Sequence, residues 1–345
     1  MKRIAVCLTL VLSSLVAPAS GAGPRTCERI AFVFYGPAGN RVFTVRPDGS
    51  ALRPVGERAT TTTRFEPRWA ADGRTLTWFE SGGGDSAVWV ADREGRSPRR
   101  VTTRDEYAFD ARLSPDGERV AFVRMDGQFK IVVLDLETEE ERVVATGVKP
   151  EWSPDGSRIA YASMIDPETS TSDIRVVSAD GTENVAVTSE PTTDDFNPSW
   201  APGGDAIAFE RRPEEQDGPR DYGDVWIAQA DGSREERLTT AYTERQGFLN
   251  PRFSPDGLHI AATFQNVDRT EVWVMDHDGG NLHRVGESRA RTATPSWSPD
   301  GRRLAYREGR AIVASALDGS RRRVVWRPET KRGAAGYPEW GPCPG

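Results

Sequence analysis

Three histidines in 345 residues leave little material for metal or proton-relay chemistry. His259 lies in a strand-like run, and His277 and His283 flank a tight turn with no third ligand beside them, short of the donor set a zinc site needs. Lysine is nearly missing too. Lys2, Lys130, Lys149 and Lys331 are the whole complement, and the arginines are interleaved with acids. A nucleic-acid surface needs a contiguous basic footprint, so that class of partner is excluded. No C-x-x-C, H-E-x-x-H or phosphate loop occurs. "GGGDS" (82–86) lacks the G-x-S-x-G elbow and a helix after it. "DHDGGN" (276–281) lacks the further acids and terminal glutamate of an EF-hand loop, so turn chemistry accounts for it. No catalytic residue, metal or cofactor is therefore expected. Helical periodicity is also absent, which leaves an all-β chain.

Long apolar runs are confined to the N-terminus. "MKR" (1–3) is a basic start, "IAVCLTLVLSSLV" (4–16) is too short to span a bilayer comfortably, and "APASGAG" (17–23) offers small residues for cleavage after Ala19 or Ala22. Residues 1–22 therefore read as a signal peptide and 23–345 as one exported domain, secreted or periplasmic, with no integral membrane segment left after cleavage. Losing Lys2 and Arg3 takes the formal charge from −7 to −9. Of three cysteines, Cys7 leaves with the signal peptide, and bulky Val6 before it does not suit a lipoprotein site. Cys27 and Cys343 remain, one near each end, in a compartment where disulfides persist.

What is abundant is a repeat. Six segments share one template: "PRWAADGRTLTWFE" (67–80), "ARLSPDGERVAFVR" (111–124), "PEWSPDGSRIAYAS" (150–163), "PSWAPGGDAIAFER" (198–211), "PRFSPDGLHIAATF" (251–264) and "PSWSPDGRRLAYRE" (295–308). Their anchors, Trp69, Leu113, Trp152, Trp200, Phe253 and Trp297, are spaced by 44, 39, 48, 53 and 44 residues, the period of a four-stranded propeller blade. In "SPDG" the proline presets φ, the aspartate caps its own backbone and the glycine takes the left-handed position, which makes a tight turn between two strands. A β-branched and aromatic run follows as the second strand. A third comes next ("KIVVLD", 130–135; "EVWVMD", 271–276), then a "DG" turn and a short fourth.

The pattern P-x-W-S-P-D-G-x-x-I-A-F … D-x-D-G … L-T is similar to the TolB-like, or PD40, β-propeller repeat, a WD40-like module, over essentially the whole mature chain. That resemblance implies a propeller and an envelope-associated role. Two departures stand out: TolB has an additional α/β domain for which this chain has no room, and its propeller has six blades where the count here reaches seven. "RIAFVF" (29–34) aligns with a second strand, "RVFTVRPDGS" (41–50) with a third, and "ALRPV" (51–55) with a fourth. The missing innermost strand of that blade is the tail, "YPEWGP" (337–342). We therefore expect seven four-stranded antiparallel blades, the ring closed by N- and C-terminal strands sharing one blade. Aligned on "WSPDGSRI" (152–159), Cys343 falls at the Asp155 position and Cys27 at the Gly156 position, so a Cys27–Cys343 disulfide replaces the missing turn.

In such a blade the "SPDG" and "DG" turns share one face and the variable loops the other. The longest variable loops are 164–172 and 211–223. Binding usually resides on irregular loops carried by a rigid scaffold. Glu66, Asp110, Lys149, Asn197, Asn250, Thr294 and Tyr337 should ring the channel mouth on that face. Arg68, Arg112, Glu151, Arg252 and Glu339 should lie just inside it. Phe65, Phe109 and Phe196 read as packing between blades, as do most of the tryptophans. The expected function is a monomeric, non-enzymatic scaffold that binds a protein or peptide in the envelope or outside the cell. The resemblance also carries an alternative, because some PD40-like propellers are polysaccharide lyases with a histidine-bound metal in the channel. A non-catalytic carbohydrate-binding protein is the other.

Overall fold

The computed structural model describes residues 27–37, 39–56, 63–82, 84–103, 107–163, 171–213, 222–243, 245–288 and 294–344. The expected signal peptide and most of the two longest variable loops, 164–170 and 214–221, lie outside them. The described residues contain strands, turns and no helix.

The turns set the strand period. At "SPDG" (153–156) the Ser153 hydroxyl donates to Asp155 Oδ1 at 2.6 Å, and the Ser157 N–H donates to the same oxygen at 3.0 Å. The Gly156 N–H closes onto the Ser153 carbonyl at 2.9 Å, with Gly156 at φ 69°. Hydrogen bonds from Ser153 and from Ser157 hold the Asp155 carboxyl down at about 2. The same hydroxyl-to-carboxylate bond recurs at Ser254–Asp256 and Ser298–Asp300, both 2.6 Å. Each turn joins an inner strand to the next one out, and antiparallel pairing carries each set of strands outward in chain order.

The strand Ala334–Gly341 pairs antiparallel with Arg29–Gly36, which continues to Gly39–Val45 and Arg53–Pro54. Thus the tail does supply the inner strand beside the first strand of the chain. An eleven-stranded sheet covers Thr63 to Ala186. It is continuous because Glu141–Trp152 runs from the outer edge of one four-strand set into the inner edge of the next, and because Ser86 bridges Tyr107 in parallel. Three separate four-stranded sheets follow, beginning at Thr193–Trp200, Gln246–Phe253 and Ser296–Trp297. Outer strands such as Arg53–Pro54, Asn184–Ala186 and Glu235–Arg237 are two or three residues long and fully exposed, which blunts them against pairing with other chains.

The core lies between neighbouring sets. Ile174 and Val176 of one set pack with Trp200, Ile207 and Phe209 of the next. Inner strands break register at one recurring place, between Phe65 and Arg68, Phe109 and Arg112, Val148 and Glu151, Phe196 and Ser199, and Leu249 and Arg252. The tail breaks between Gly336 and Glu339. A proline at 67, 150, 198, 251 or 338 has no N–H for the ladder, so the bulge forfeits no hydrogen bond there.

Cys27 and Cys343 are joined, with Cα atoms 5.2 Å apart across 316 residues of chain. By loop-closure entropy a bridge over so long a loop contributes on the order of 5 kcal/mol at most. Non-reducing mass spectrometry should recover the two cysteine peptides linked. The Cys27→Ser/Cys343→Ser variant should lose several kcal/mol in urea unfolding, and a loss below about 1 kcal/mol would assign closure to strand pairing alone.

Candidate binding cavity

A cavity of about 550 Å³ is lined by the inner strands and their turns. Its lining falls into three tiers with one residue from each repeat. The floor is Arg68, Arg112, Glu151, Ser199, Arg252, Ser296 and Glu339. The walls are Trp69, Leu113, Trp152, Trp200, Phe253, Trp297 and Trp340. The rim is Ala71, Pro115, Pro154, Pro202, Pro255, Pro299 and Pro342. The cavity therefore opens on the side of the "SPDG" turns. Its volume and its apolar walls over a few polar groups match a small-ligand or peptide site.

Six of the seven walls are tied to a neighbouring inner strand. The indole N–H of Trp152 donates to the Arg112 carbonyl at 3.0 Å, that of Trp200 to Glu151 at 3.0 Å, that of Trp297 to Arg252 at 2.9 Å and that of Trp69 to Glu339 at 3.1 Å. Where the floor residue is serine, its hydroxyl accepts a backbone N–H from the next strand instead: Phe253 to Ser199 at 3.1 Å and Trp340 to Ser296 at 2.8 Å. From the other side, in three repeats the arginine after the turn lies over the next anchor. Arg119 sits 4.8 Å from the Trp152 ring, Arg158 4.9 Å from Trp200 and Arg303 4.6 Å from Trp340. Repeats followed by the non-tryptophan anchors Leu113 and Phe253 carry Thr75 and Ala206 at that arginine position. Before Trp297 the position is His259, whose ring centroid lies 6.3 Å from that of the indole, and Trp69 is met by Arg93 at 5.5 Å.

The floor is charged and unbalanced. Arg68 Nη1 donates to Glu339 at 2.6 Å, and Arg112 Nε donates to Glu151 at 3.0 Å. Arg252 reaches Glu151 only at 3.5 Å, and among the described residues its side chain makes no hydrogen bond. Three guanidiniums thus face two carboxylates. Burial alone would raise the Glu151 carboxyl, but Arg112, Arg252 and Arg68 outweigh it and hold it below the usual range. Arg252 is pushed the other way, lowered by burial and then by Arg68. Arg68 is raised: burial opposes it, and Glu339, Glu66 and Glu151 win.

Of the residues named from sequence, Arg68, Arg112, Glu151, Arg252 and Glu339 meet in this floor. The outer group does not line the cavity. Glu66, Asp110, Lys149, Asn197, Asn250 and Tyr337 are the bulge residues, and all six have left-handed φ, from 44° to 56°. Asn and Asp tolerate that region, while Glu66, Lys149 and Tyr337 store strain in it. Thr294, at the matching position, has no positive φ. Lys149 Nζ donates to Asp110 at 2.9 Å, and although burial works against the Asp110 carboxylate, Lys149 and Arg112 keep it low. The Asn197 side chain and the Asn250 N–H both donate to Glu210 Oε2, at 3.0 and 2.9 Å. Tyr337 packs on Tyr35 with ring centroids 6.5 Å apart. Ser199, Ser296 and Glu210 were not singled out from sequence. The serines occupy the same repeat column as Arg68, so that column held the signal.

Beneath the variable loops, Arg211 pairs with buried Asp195 through two bonds of 2.8 Å and reaches Glu235 at 2.9 Å. Burial, and then the Asp195 charge, push the neighbouring Asp173 carboxyl up to about 6.

No family model matches the chain. Among solved structures it is similar to the β-propeller domain of the trilobed protease from Pyrococcus furiosus, with TM-score 0.65 at 13% identity over 90% of this chain and 98% of that one. It is also similar to TolB from Acinetobacter baumannii, with TM-score 0.56 at 17% identity over 92% and 83%. An oligogalacturonate lyase in complex with manganese gives TM-score 0.61 at 17% identity over 88% and 85%. Identities this low show the fold alone. The chain has a β-propeller fold, similar to that of TolB.

The floor makes two opposite stability predictions. Glu151→Gln leaves three guanidiniums against Glu339 alone and should cost about 2 kcal/mol in urea unfolding. Because the folded Glu151 pKa is depressed, the carboxylate's contribution is present above its unfolded pKa and is lost as pH falls through the folded one. Arg252→Gln removes the surplus cation and should leave stability within about 0.5 kcal/mol of the parent. Asp173 works with the reverse sign. Its raised folded pKa means the charged form burdens the fold, so Asp173→Asn should raise the melting temperature above pH 6 and leave it unchanged below pH 4. Thermal scans at pH 4 and pH 7.5 check this.

Proposed function

We propose that this chain is an exported, seven-bladed, closed β-propeller that binds a protein or peptide through its central cavity. The observation that carries the reading is the lining itself, three tiers each holding one residue from every repeat and the tail. Seven inner strands around one axis account for that arrangement, with the Ala334–Gly341 strand completing the blade begun by Arg29–Gly36. The Cys27–Cys343 bridge supports an oxidising compartment. Tryptophan and proline walls supply flat apolar surfaces for peptide side chains, and the floor supplies charge. The channel-mouth residues Glu66, Asp110, Lys149, Asn197, Asn250, Thr294 and Tyr337 would then line the opposite opening.

The likeness to the lyase keeps a second reading in play, a propeller acting on or binding uronate-containing oligosaccharides. The described residues hold no group of three or more His, Cys, Asp or Glu side chains placed to share a metal. The peptide reading therefore asks less of the residues present.

The five wall tryptophans make intrinsic fluorescence the direct assay. Short peptides should shift the emission, and the shift should be lost in Trp152→Ala/Trp200→Ala. Trigalacturonate with manganese should give neither a shift nor unsaturated product, and either result would install the second reading. Export predicts that protein recovered outside the cytoplasm begins at Ser20 or Gly23.

A further inference from the structure

We propose that the arc Ser199–Arg252–Ser296 of the cavity floor receives the carboxylate of a bound peptide. This deepens the peptide-binding reading and rests on it.

The floor charges are distributed unevenly. Glu339, Arg68, Arg112 and Glu151 come from consecutive inner strands and pair among themselves at 2.6 and 3.0 Å. The remaining strands contribute Ser199, Arg252 and Ser296. Their adjacency is fixed by the tie bonds, since the Phe253 N–H reaches Ser199 Oγ and the Trp297 indole reaches the Arg252 carbonyl. Arg252 is thus flanked by hydroxyls on both sides. Its one acidic contact, Glu151 at 3.5 Å, is already engaged more closely by Arg112. Ser199 and Ser296 are buried, at 7% and 8% exposure. Each accepts one N–H, and among the described residues neither hydroxyl hydrogen has an acceptor.

A guanidinium fork between two available O–H donors, at the base of an apolar well, is a complementary seat for one planar oxyanion. A carboxylate also matches the charge of Arg252, whose acidic contact with Glu151, at 3.5 Å, is shared with the closer Arg112. Burial and the Arg68 charge both press on Arg252, and the negative charge of an incoming anion offsets them. Trp200, Phe253 and Trp297 stand above the same arc, so the group that bears the carboxylate meets aromatic faces on entry. The carboxylate could belong to a chain terminus or to an Asp or Glu side chain, and the chemistry of the seat is the same for both.

The test uses the full chain, immobilised, and two pools of N-acetylated randomised tetrapeptides, one with free C-terminal carboxylates and one amidated. Retained peptides are read by mass spectrometry. The free-acid pool should be retained at least 10-fold better. Arg252→Gln should erase that preference to within twofold, Ser199→Ala/Ser296→Ala should reduce retention several-fold, and Arg252→Lys should restore part of it. An unchanged melting temperature shows that each variant is folded. Selective retention of Asp- and Glu-containing peptides from the amidated pool would assign a side-chain carboxylate and support the same seat. Equal retention of both pools, or an Arg252→Gln protein that keeps the preference, overturns the carboxylate seat while leaving peptide binding intact. Retention of neither pool overturns both readings, and binding of trigalacturonate alone assigns the arc to a sugar acid and overturns the peptide one.

Discussion

The structure depends on one small interaction, the hydrogen bond from an anchor residue to the inner strand of the preceding repeat. Antiparallel ladders hold each four-strand set together, and outside the continuous sheet from Thr63 to Ala186 they do not join one set to the next. The indole N–H of Trp69, Trp152, Trp200 and Trp297 does, because each finds a specific backbone carbonyl across the gap. A buried indole must find an acceptor or bear its desolvation cost, so the bond fixes both the spacing and the height of neighbouring sets. At Trp152 and Trp200 an arginine stacked on the ring adds a second contact between sets. The cavity follows from this packing, because the tied anchors line it together.

Most of the architecture was legible in the sequence, because the turn chemistry of "SPDG" is local and repeats. Strand order, the pairing of the tail with the first strand and the cysteine bridge all followed from aligning one motif with itself. The bulges were not legible. A left-handed Asn197 or Asn250 has a propensity behind it, whereas Glu66, Lys149 and Tyr337 do not, and no local rule places them there. These residues sit where the inner strands break register with their partners, a non-local setting. The arrangement of the site was half legible. Arg68, Arg112, Glu151, Arg252 and Glu339 were placed together by their repeat column, yet Ser199 and Ser296 in the same column were passed over because serine carries no charge to draw notice. The tryptophans read as packing and are also walls, since a ring can be buried on one face and still present an edge to a cavity.

The floor and the outer mouth show two ways of placing charge in a narrow space. Asp110 with Lys149, and Glu210 with the two asparagines, are satisfied locally, so that region behaves as structure. The floor keeps Arg252 with a single, shared acidic contact at 3.5 Å. Folding stability alone would favour a neutral residue there, as it would at any buried charge lacking a partner. Sites that trade stability for an unpaired group are where recognition tends to be found.

The bridge between Cys27 and Cys343 has a consequence for access. Pro342, one residue before Cys343, is part of the cavity rim, and Arg93 of the neighbouring turn donates to the Pro342 carbonyl at 2.6 Å. Both ends of the fold are therefore clamped at the entrance to the well. A segment, label or surface linker joined at either end starts within a few residues of the opening and samples it at the high local concentration of a short tether.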